Sequence, residues 1–220
     1  MHRLPTPRPH RQGFSLVELL AVMAILVIML ALLAPAISTI TGSTSRNGAV
    51  NILMNTMEQA RVAALESGRT VYLVFNRQTF PDPDRIMVLR EPDPESGKTD
   101  YEQLTSWIKL PKGILLHSAG KTDILSESLP TGTSGTNLVF DPAKSKAFSA
   151  AKGDLNILAF NAYGGVVYPN STKLMLIVCE GVRDSNGAEA LISPNKNAGG
   201  FEIITLRRYT GRASLEVTTL

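Results

Sequence analysis

The most apolar stretch of the chain lies near its N-terminus. From Phe14 to Ala34 the sequence reads FSLVELLAVMAILVIMLALLA, and Glu18 is the only charged residue within it. A helix of this length spans roughly 31 Å at 1.5 Å per residue, which is the thickness of the hydrocarbon core of a bilayer. The pattern therefore predicts a membrane-spanning helix over 14–34.

A second helical pattern follows after an interruption that we expect at Pro35 and Gly42. Proline removes a backbone donor and clashes with the preceding turn, so a kink or a local loss of helix is predicted near Pro35. Helical spacing then resumes, and Gly68 is a natural cap for the end of this helix. Its apolar positions are Val50, Leu53, Met54, Met57, Ala60, Ala64 and Leu65, with Glu58, Arg61 and Glu66 on the other face.

Beyond Thr70 the apolar runs become short, as is typical of β-strands. Two pairs of runs form predicted hairpins, with Gly164–Gly165 and Thr210–Gly211 in their turns. No convincing helix separates the strands, which favours an antiparallel sheet, and thus an α+β domain packed on the second half of the helix. The predicted strands are Thr70–Phe75, Ile86–Arg90, Thr105–Leu110, Gly113–His117, Leu155–Phe160, Gly165–Tyr168, Lys173–Cys179, Phe201–Arg207 and Ala213–Val217.

Three polar stretches are predicted to be surface loops that bind a partner or are simply mobile. Pro81–Gln103 is rich in Pro, Asp and Glu, Ala119–Asn137 is rich in Ser, Thr and Gly, and Ser185–Gly200 is the third. We see neither an internal repeat nor a second domain boundary.

The residues before the apolar run contain three arginines and no acidic residue. This charge bias places the N-terminus in the cytoplasm and the C-terminal domain across the membrane. A conventional signal peptide would be cut near Ala34-Pro35-Ala36, although the run is longer than a usual signal-peptide core. Neither that hypothesis nor a plain membrane anchor explains Glu18, because a carboxylate inside a membrane helix costs about 2.5–3.5 kcal/mol on insertion scales.

The hexapeptide Gly13-Phe14-Ser15-Leu16-Val17-Glu18, with its basic leader and apolar helix, resembles the type IV prepilin cleavage and methylation motif. The resemblance implies that a prepilin peptidase cuts after Gly13 and methylates the new amino terminus at Phe14. Glu18 would then pair with the Phe14 amine of a neighbouring subunit. Such a pair selects one axial register in a filament core, since any other register leaves two charges unpaired.

The resemblance also implies an organisation for the chain. Residues 1–13 would be a leader that is removed, 14–42 a transmembrane and filament-core helix, and 43–220 a periplasmic pilin-like α+β domain. The protein would be a single-pass protein of the bacterial inner membrane that later enters a pilus or pseudopilus. Its implied partners are the prepilin peptidase and other pilins or pseudopilins.

Within the prepilin proteins, the mature part resembles the H-type minor pseudopilins of type II secretion and their FimT-like relatives. Two loops, 81–103 and 185–200, match no pattern of that family. The segments that carry the resemblance are Gln59–Val71, Leu110–Ile114, Phe160–Gly164 and Thr210–Arg212.

The sequence supports no enzymatic activity and calls for no cofactor. It contains no nucleophile elbow, P-loop, zinc-protease or Cys-x-x-Cys motif. We expect His117 to be structural or exposed at a strand edge, and Cys179 to be a small core residue. Four aspartates could offer oxygen ligands to calcium, but their spacing is not that of an EF-hand, and we expect a solvated acidic loop and no metal. They are Asp82, Asp84, Asp93 and Asp100.

Charge bears on one alternative function, which is DNA binding by a FimT-like minor pilin. Arg207, Arg208 and Arg212 surround Tyr209 and could contact phosphates in a salt-dependent manner. Strand alternation would place Arg207 and Arg208 on opposite faces, so a solvated strand end is expected instead. The pI of 9.1 adds no support. The leader holds three of the 22 basic residues and none of the 19 acidic ones, so the mature chain would carry 19 of each.

Overall fold

We describe a computed structural model of the 220-residue chain. It describes residues 16–118, 124–127, 129–130, 138–148, 154–171, 173–191 and 201–216, with side chains except those of 30–43 and 147. The chain divides into two compact units, with the boundary between Thr41 and Gly42. The domain boundaries expected at 13 and 42 stay predictions.

Helix α1 extends from Leu16 to Ser67. Its backbone remains helical through Pro35 and Gly42, so the prediction of a local loss of helix there is wrong, while the alternative of a kink near Pro35 stays a prediction. The helix ends as predicted at Gly68, which adopts a left-handed conformation (φ 63°) and donates its N–H to the Ala64 carbonyl at 3.0 Å. A residue with a Cβ adopts this φ only at a steric cost, so glycine suits the helix end.

The C-terminal part of α1 buries the predicted apolar stripe, with one exception. Leu65 is 44% exposed, and Met54 is only partly buried. Both deviate because a repeat of about 3.6 residues per turn places Met54 and Leu65 at the same margin of the stripe, away from its buried centre. The stripe residues that are buried in the core are Val50, Leu53, Met57, Ala60 and Ala64.

The described strands form two antiparallel sheets, which confirms the α+β class and the antiparallel pairing. The first sheet has the order β3–β2–β1–β6–β7, with β4 also paired to β2, and the second has the order β11–β10–β8–β5, with β9 also paired to β8. The strands are β1 Val71–Arg77, β2 Arg85–Arg90, β3 Glu102–Gln103, β4 Ile108–Lys109, β5 Ile114–His117, β6 Asp154–Phe160, β7 Val166–Tyr168, β8 Leu174–Arg183, β9 Glu189–Leu191, β10 Phe201–Leu206 and β11 Ala213–Glu216.

Several predicted boundaries need correction. β2 confirms the predicted strand Ile86–Arg90, which lies inside the stretch 81–103 that is also predicted to be a loop. That stretch further contains β3, and the predicted loop 185–200 contains β9. The predicted strand Thr105–Leu110 shortens to β4, because only Arg85 and Ile86 of β2 pair with it. Most of the predicted loop 119–137 lies outside the described residues. The described residues also include three short 3₁₀ helices, at Pro94–Ser96, Pro142–Lys144 and Lys146–Phe148.

Apolar side chains form two separate cores. The larger core joins α1 to residues of both sheets, such as Phe75 of β1 and Val178 of β8. The smaller core lies around Tyr72 and Met87 of the first sheet and includes Phe140 and Phe148 from the 3₁₀ region. Strand β1 is therefore buried on both faces, and the region 138–148 is fixed to the sheet by aromatic contacts.

Candidate functional site

The N-terminal motif contains the residues to which the sequence assigns a function. Gly13 and Phe14 lie outside the described residues, so the cleavage and methylation sites stay predictions. Glu18 lies in the first turn of α1, where a carboxylate is favoured by the positive end of the helix dipole. Its proposed role in filament register also stays a prediction.

The helix around Glu18 presents apolar side chains on all sides. Large apolar side chains between Leu16 and Met29 are 48–77% exposed, and Glu18 is the only charged residue among them. Among the described residues, no helix combines the length and the apolar character needed to cross a bilayer. A surface this apolar is unfavourable in water and favours contact with other apolar groups.

The three arginines of the alternative DNA-binding site lie in one turn between β10 and β11. β10 ends at Leu206, so strand alternation does not place Arg207 and Arg208 as predicted. The Arg208 guanidinium donates to the carbonyls of Pro169, at 2.7 Å, and of Ser171. Arg207 and Arg212 are exposed, and Tyr209 is 91% exposed. Two of the three predicted contacts are thus accessible to a ligand, whereas Arg208 supports the loop beside it.

The four aspartates considered for calcium do not come together. Asp82, Asp93 and Asp100 are partly or fully exposed, and the Asp93 carboxylate caps the 3₁₀ helix at Pro94. Asp84 is only 2% exposed, so the expectation that it is solvated is wrong. In the described part of the chain, we find no group of three or more His, Cys, Asp or Glu residues that could hold a metal ion.

Asp84 belongs to a buried charge network that the sequence analysis missed. Its carboxylate pairs with the Arg183 guanidinium at 2.7 Å, and Arg183 also contacts Glu189 at 3.0 Å. Burial opposes the charge of Arg183, but hydrogen bonds and attraction to the two carboxylates outweigh it and raise the Arg183 pKa. Glu189 in turn hydrogen-bonds Nδ1 of His117. His117 is therefore partly buried at the end of β5 as a structural residue.

Cys179 is buried in β8, as the sequence predicted. Burial, reinforced by the charge of Glu189, raises the pKa of its thiol to about 12. A thiol with this pKa is almost wholly protonated near neutral pH, and the protonated form is a poor nucleophile. The geometry therefore gives Cys179 a packing role and offers no nucleophilic site there.

Residues 8–34 match the family described as the prokaryotic N-terminal methylation motif. The matched segment includes Gly13, Phe14 and Glu18, so the N-terminus has the motif of a prepilin-type substrate. Such a motif indicates processing by a prepilin peptidase and assembly with other pilins. Neither a curated protein nor a solved structure matches the chain. The match ends before the sheet domain, so the function of that domain must be inferred from its own residues.

Proposed function

We propose that the chain is a minor pilin-like subunit of a type II secretion pseudopilus or a type IV pilus. One observation carries this proposal: the methylation motif leads directly into the exposed apolar segment 16–29 of α1, whose single carboxylate, Glu18, lies five residues beyond Gly13. We further propose that the protein acts by assembly and has no enzymatic activity.

The proposed pathway begins in the inner membrane. The apolar helix anchors the precursor with its leader in the cytoplasm and the domain 43–220 in the periplasm. Cleavage after Gly13 frees the Phe14 amine, which is then methylated. In the filament this cation pairs with Glu18 of a neighbour, because an unpaired carboxylate among apolar helices would be costly.

The mature N-terminus tests the proposal. The full chain is expressed together with a prepilin peptidase, and the mass of its N-terminal peptide is measured. The proposal requires an N-methylated peptide that begins at Phe14. A start at Ile37 would show a conventional signal peptide, and an intact Met1 would show a plain anchor, so either result contradicts it.

Three variants separate processing from assembly. Gly13→Val should block cleavage, because the peptidase needs close access to the backbone at this position. Glu18→Gln should be cleaved normally but should enter filaments several-fold less than the wild type. Gly48→Ala is the matched control, since an added Cβ there meets no atom within 4 Å. Normal filament entry by Glu18→Gln would refute the register role.

The H-type, FimT-like assignment within the pilin-like proteins is part of the same proposal. It is supported by the two hairpins that the family-like segments Phe160–Gly164 and Thr210–Arg212 form. This assignment also implies an alternative function, which is DNA binding. The exposed side chains of Arg207, Tyr209 and Arg212 support this alternative. Titration of the full chain in detergent micelles with duplex DNA at rising salt tests this alternative. The absence of binding at low salt would remove it.

A further inference from the structure

Two hairpin turns and one loop lie side by side at one end of the strands of the first sheet, which we call the edge. Val71 of β1 pairs with Arg90 of β2 and with Phe160 of β6, so the chain leaves β2 and β6 at the same edge. Val166 of β7 donates its N–H to the Arg208 carbonyl at 2.7 Å. This hydrogen bond places the turn between β10 and β11 of the second sheet beside β7. In order along the edge we name them the acidic loop (91–101), the tyrosine turn (161–165) and the basic turn (207–212).

The two ends of this row carry net charges of opposite sign and equal size. The acidic loop contains four acidic residues and one lysine, and the basic turn contains three arginines and no acid. Three strand spacings of about 4.8 Å separate β2 from β7, a distance of roughly 14 Å. Because this exceeds the Debye length of about 8 Å at physiological salt, the opposite charges at the two ends attract one another only weakly within one copy.

Two tyrosines project from this edge. Tyr163 is 88% exposed and Tyr209 is 91% exposed, more than any other large apolar side chain that the structure describes. Both turns are held firmly. The Asn161 carboxamide oxygen accepts the backbone N–H groups of Tyr163 at 3.0 Å and Gly165 at 2.9 Å, and Arg208 is fixed to nearby carbonyls. Aromatic side chains on rigid turns lose little entropy on binding and are enriched at the centres of protein interfaces.

We propose that this edge binds the same edge of a second copy of the chain across a twofold axis beside the tyrosine turn. An axis that reverses the row places each acidic loop opposite the basic turn of the other copy, so both charged ends are paired in one contact. Tyr163 then lies near the middle of the contact, where water is excluded, and Tyr209 of the basic turn faces the acidic loop of the other copy. This inference concerns the domain alone and holds whether or not the proposed filament function is right.

A second copy fits the charges better than a nucleic acid does. A phosphate backbone along the row would approach the acidic loop, where like charges repel it. It would also find the Arg208 guanidinium already engaged with two backbone carbonyls. The exposed Arg207 and Arg212 instead have an acidic partner in the loop of a second copy. A second copy of the chain is therefore the partner whose charges match both ends of the row.

Disulfide trapping of the full chain in detergent micelles tests the contact. The only natural cysteine, Cys179, is buried, so a cysteine introduced by Ala162→Cys reports on the tyrosine turn without removing Tyr163. Under mild oxidation we expect most of this variant to form a covalent dimer at low salt, and at least fivefold less dimer at 0.5 M salt. Lys112→Cys is the matched control, because it is exposed at a loop outside this edge and should form little dimer.

Charge reversal tests the pairing itself. In the Ala162→Cys background, Arg207→Glu with Arg212→Glu makes both ends acidic, and Glu95→Lys with Asp100→Lys makes both ends basic. Each variant alone should lose the dimer, and an equal mixture of the two should form a mixed dimer. Tyr163→Ala in the same background should reduce the dimer several-fold.

Three results would overturn the proposal. Equal dimer from Ala162→Cys and Lys112→Cys would show association through the apolar helices alone. Unchanged dimer in the charge-reversed variants would show that the charges play no part. Binding of duplex DNA at low salt by a chain that forms no dimer would identify the edge as a nucleic-acid surface.

Discussion

Asp84 and Arg183 form a buried ion pair that joins the two sheets. The Asp84 carboxylate accepts the backbone N–H groups of Gln78 at 2.7 Å and Leu116 at 2.8 Å. The Arg183 guanidinium donates to the carbonyls of the same two residues, at 2.8 and 2.9 Å. Gln78 directly follows β1 of the first sheet, and Leu116 belongs to β5 of the second. The pair thus connects the end of β1 in the first sheet to β5 in the second through buried hydrogen bonds.

Removal of one partner of this pair should strongly destabilise the domain. Asp84→Asn leaves the Arg183 charge buried with a weaker partner, and Arg183→Met leaves a buried carboxylate. Breaking a buried pair in this way costs about 3–5 kcal/mol, so the midpoint of urea denaturation should fall markedly for Arg183→Met. Glu102→Gln is the control, because its pair with Arg90 is half-exposed and should contribute under about 1 kcal/mol. Equal stabilities would contradict the joining role.

A second prediction concerns Arg46, which connects α1 to the second sheet. Its guanidinium contacts Glu180 of β8 and Glu202 of β10, each at 3.0 Å. Arg46→Met leaves two mostly buried carboxylates without a counter-charge, and we expect a loss of about 3 kcal/mol. Glu58→Gln, which breaks an exposed pair with Arg61 on the same helix, should cost under about 1 kcal/mol. Thermal unfolding followed by circular dichroism measures both, and a neutral Arg46→Met would refute the prediction.

The turn at Gly211 should tolerate no side chain. Its φ is +62°, and a Cβ there would lie 2.0 Å from the Gly164 carbonyl oxygen, so the two hairpin turns would have to separate. Gly97 has a similar φ of +65° but open space around it. We therefore expect Gly97→Ala to cost about 1–2 kcal/mol for the left-handed backbone alone. Gly211→Ala should cost clearly more in the same urea denaturation, and equal costs would show that the turns are not in contact.

Cys179 should react slowly in the folded protein. Burial raises the pKa of its thiol to about 12, so the reactive thiolate is scarce at pH 8. On unfolding, the thiol returns to an ordinary pKa near 8.5, and the thiolate fraction rises roughly a thousandfold. The rate of labelling by a thiol reagent at pH 8, with and without 8 M urea, measures this difference. Rapid labelling without urea would show that the β8 core is open.

The hairpin turns show how far local sequence reaches. Gly164 and Gly211 both take positive φ values in the turns where the sequence placed them, and Gly68 ends the helix as expected. These positions were predictable because glycine adopts positive φ more readily than other residues, so a glycine in the sequence indicates where such a turn occurs. The strand ends were less predictable, since Arg207 and Arg208 continue the pattern of β10 although the chain already turns.

The two sheets and the second core were not predictable from these patterns. An alternating or continuous apolar strand shows that a face is buried, but not which element covers it. Tyr72 is covered by Phe140 from a 3₁₀ region 68 residues away, with ring centroids 5.1 Å apart. Such a contact depends on the path of the whole chain and has no local signature.

The sequence by itself determined the N-terminal motif, the apolar character of 14–34, the antiparallel α+β class and the glycine turns. Each of these follows from neighbouring residues, through helical or strand spacing, backbone sterics or the cost of a charge among apolar groups. The tertiary structure alone decided that Asp84 is a buried partner of Arg183, 99 residues away, rather than a solvated loop residue. It also placed the acidic loop, the tyrosine turn and the basic turn on one edge. The reason is that the burial and the charge environment of a residue depend on which distant segments contact it. The spacing of residues along the chain does not reveal these contacts.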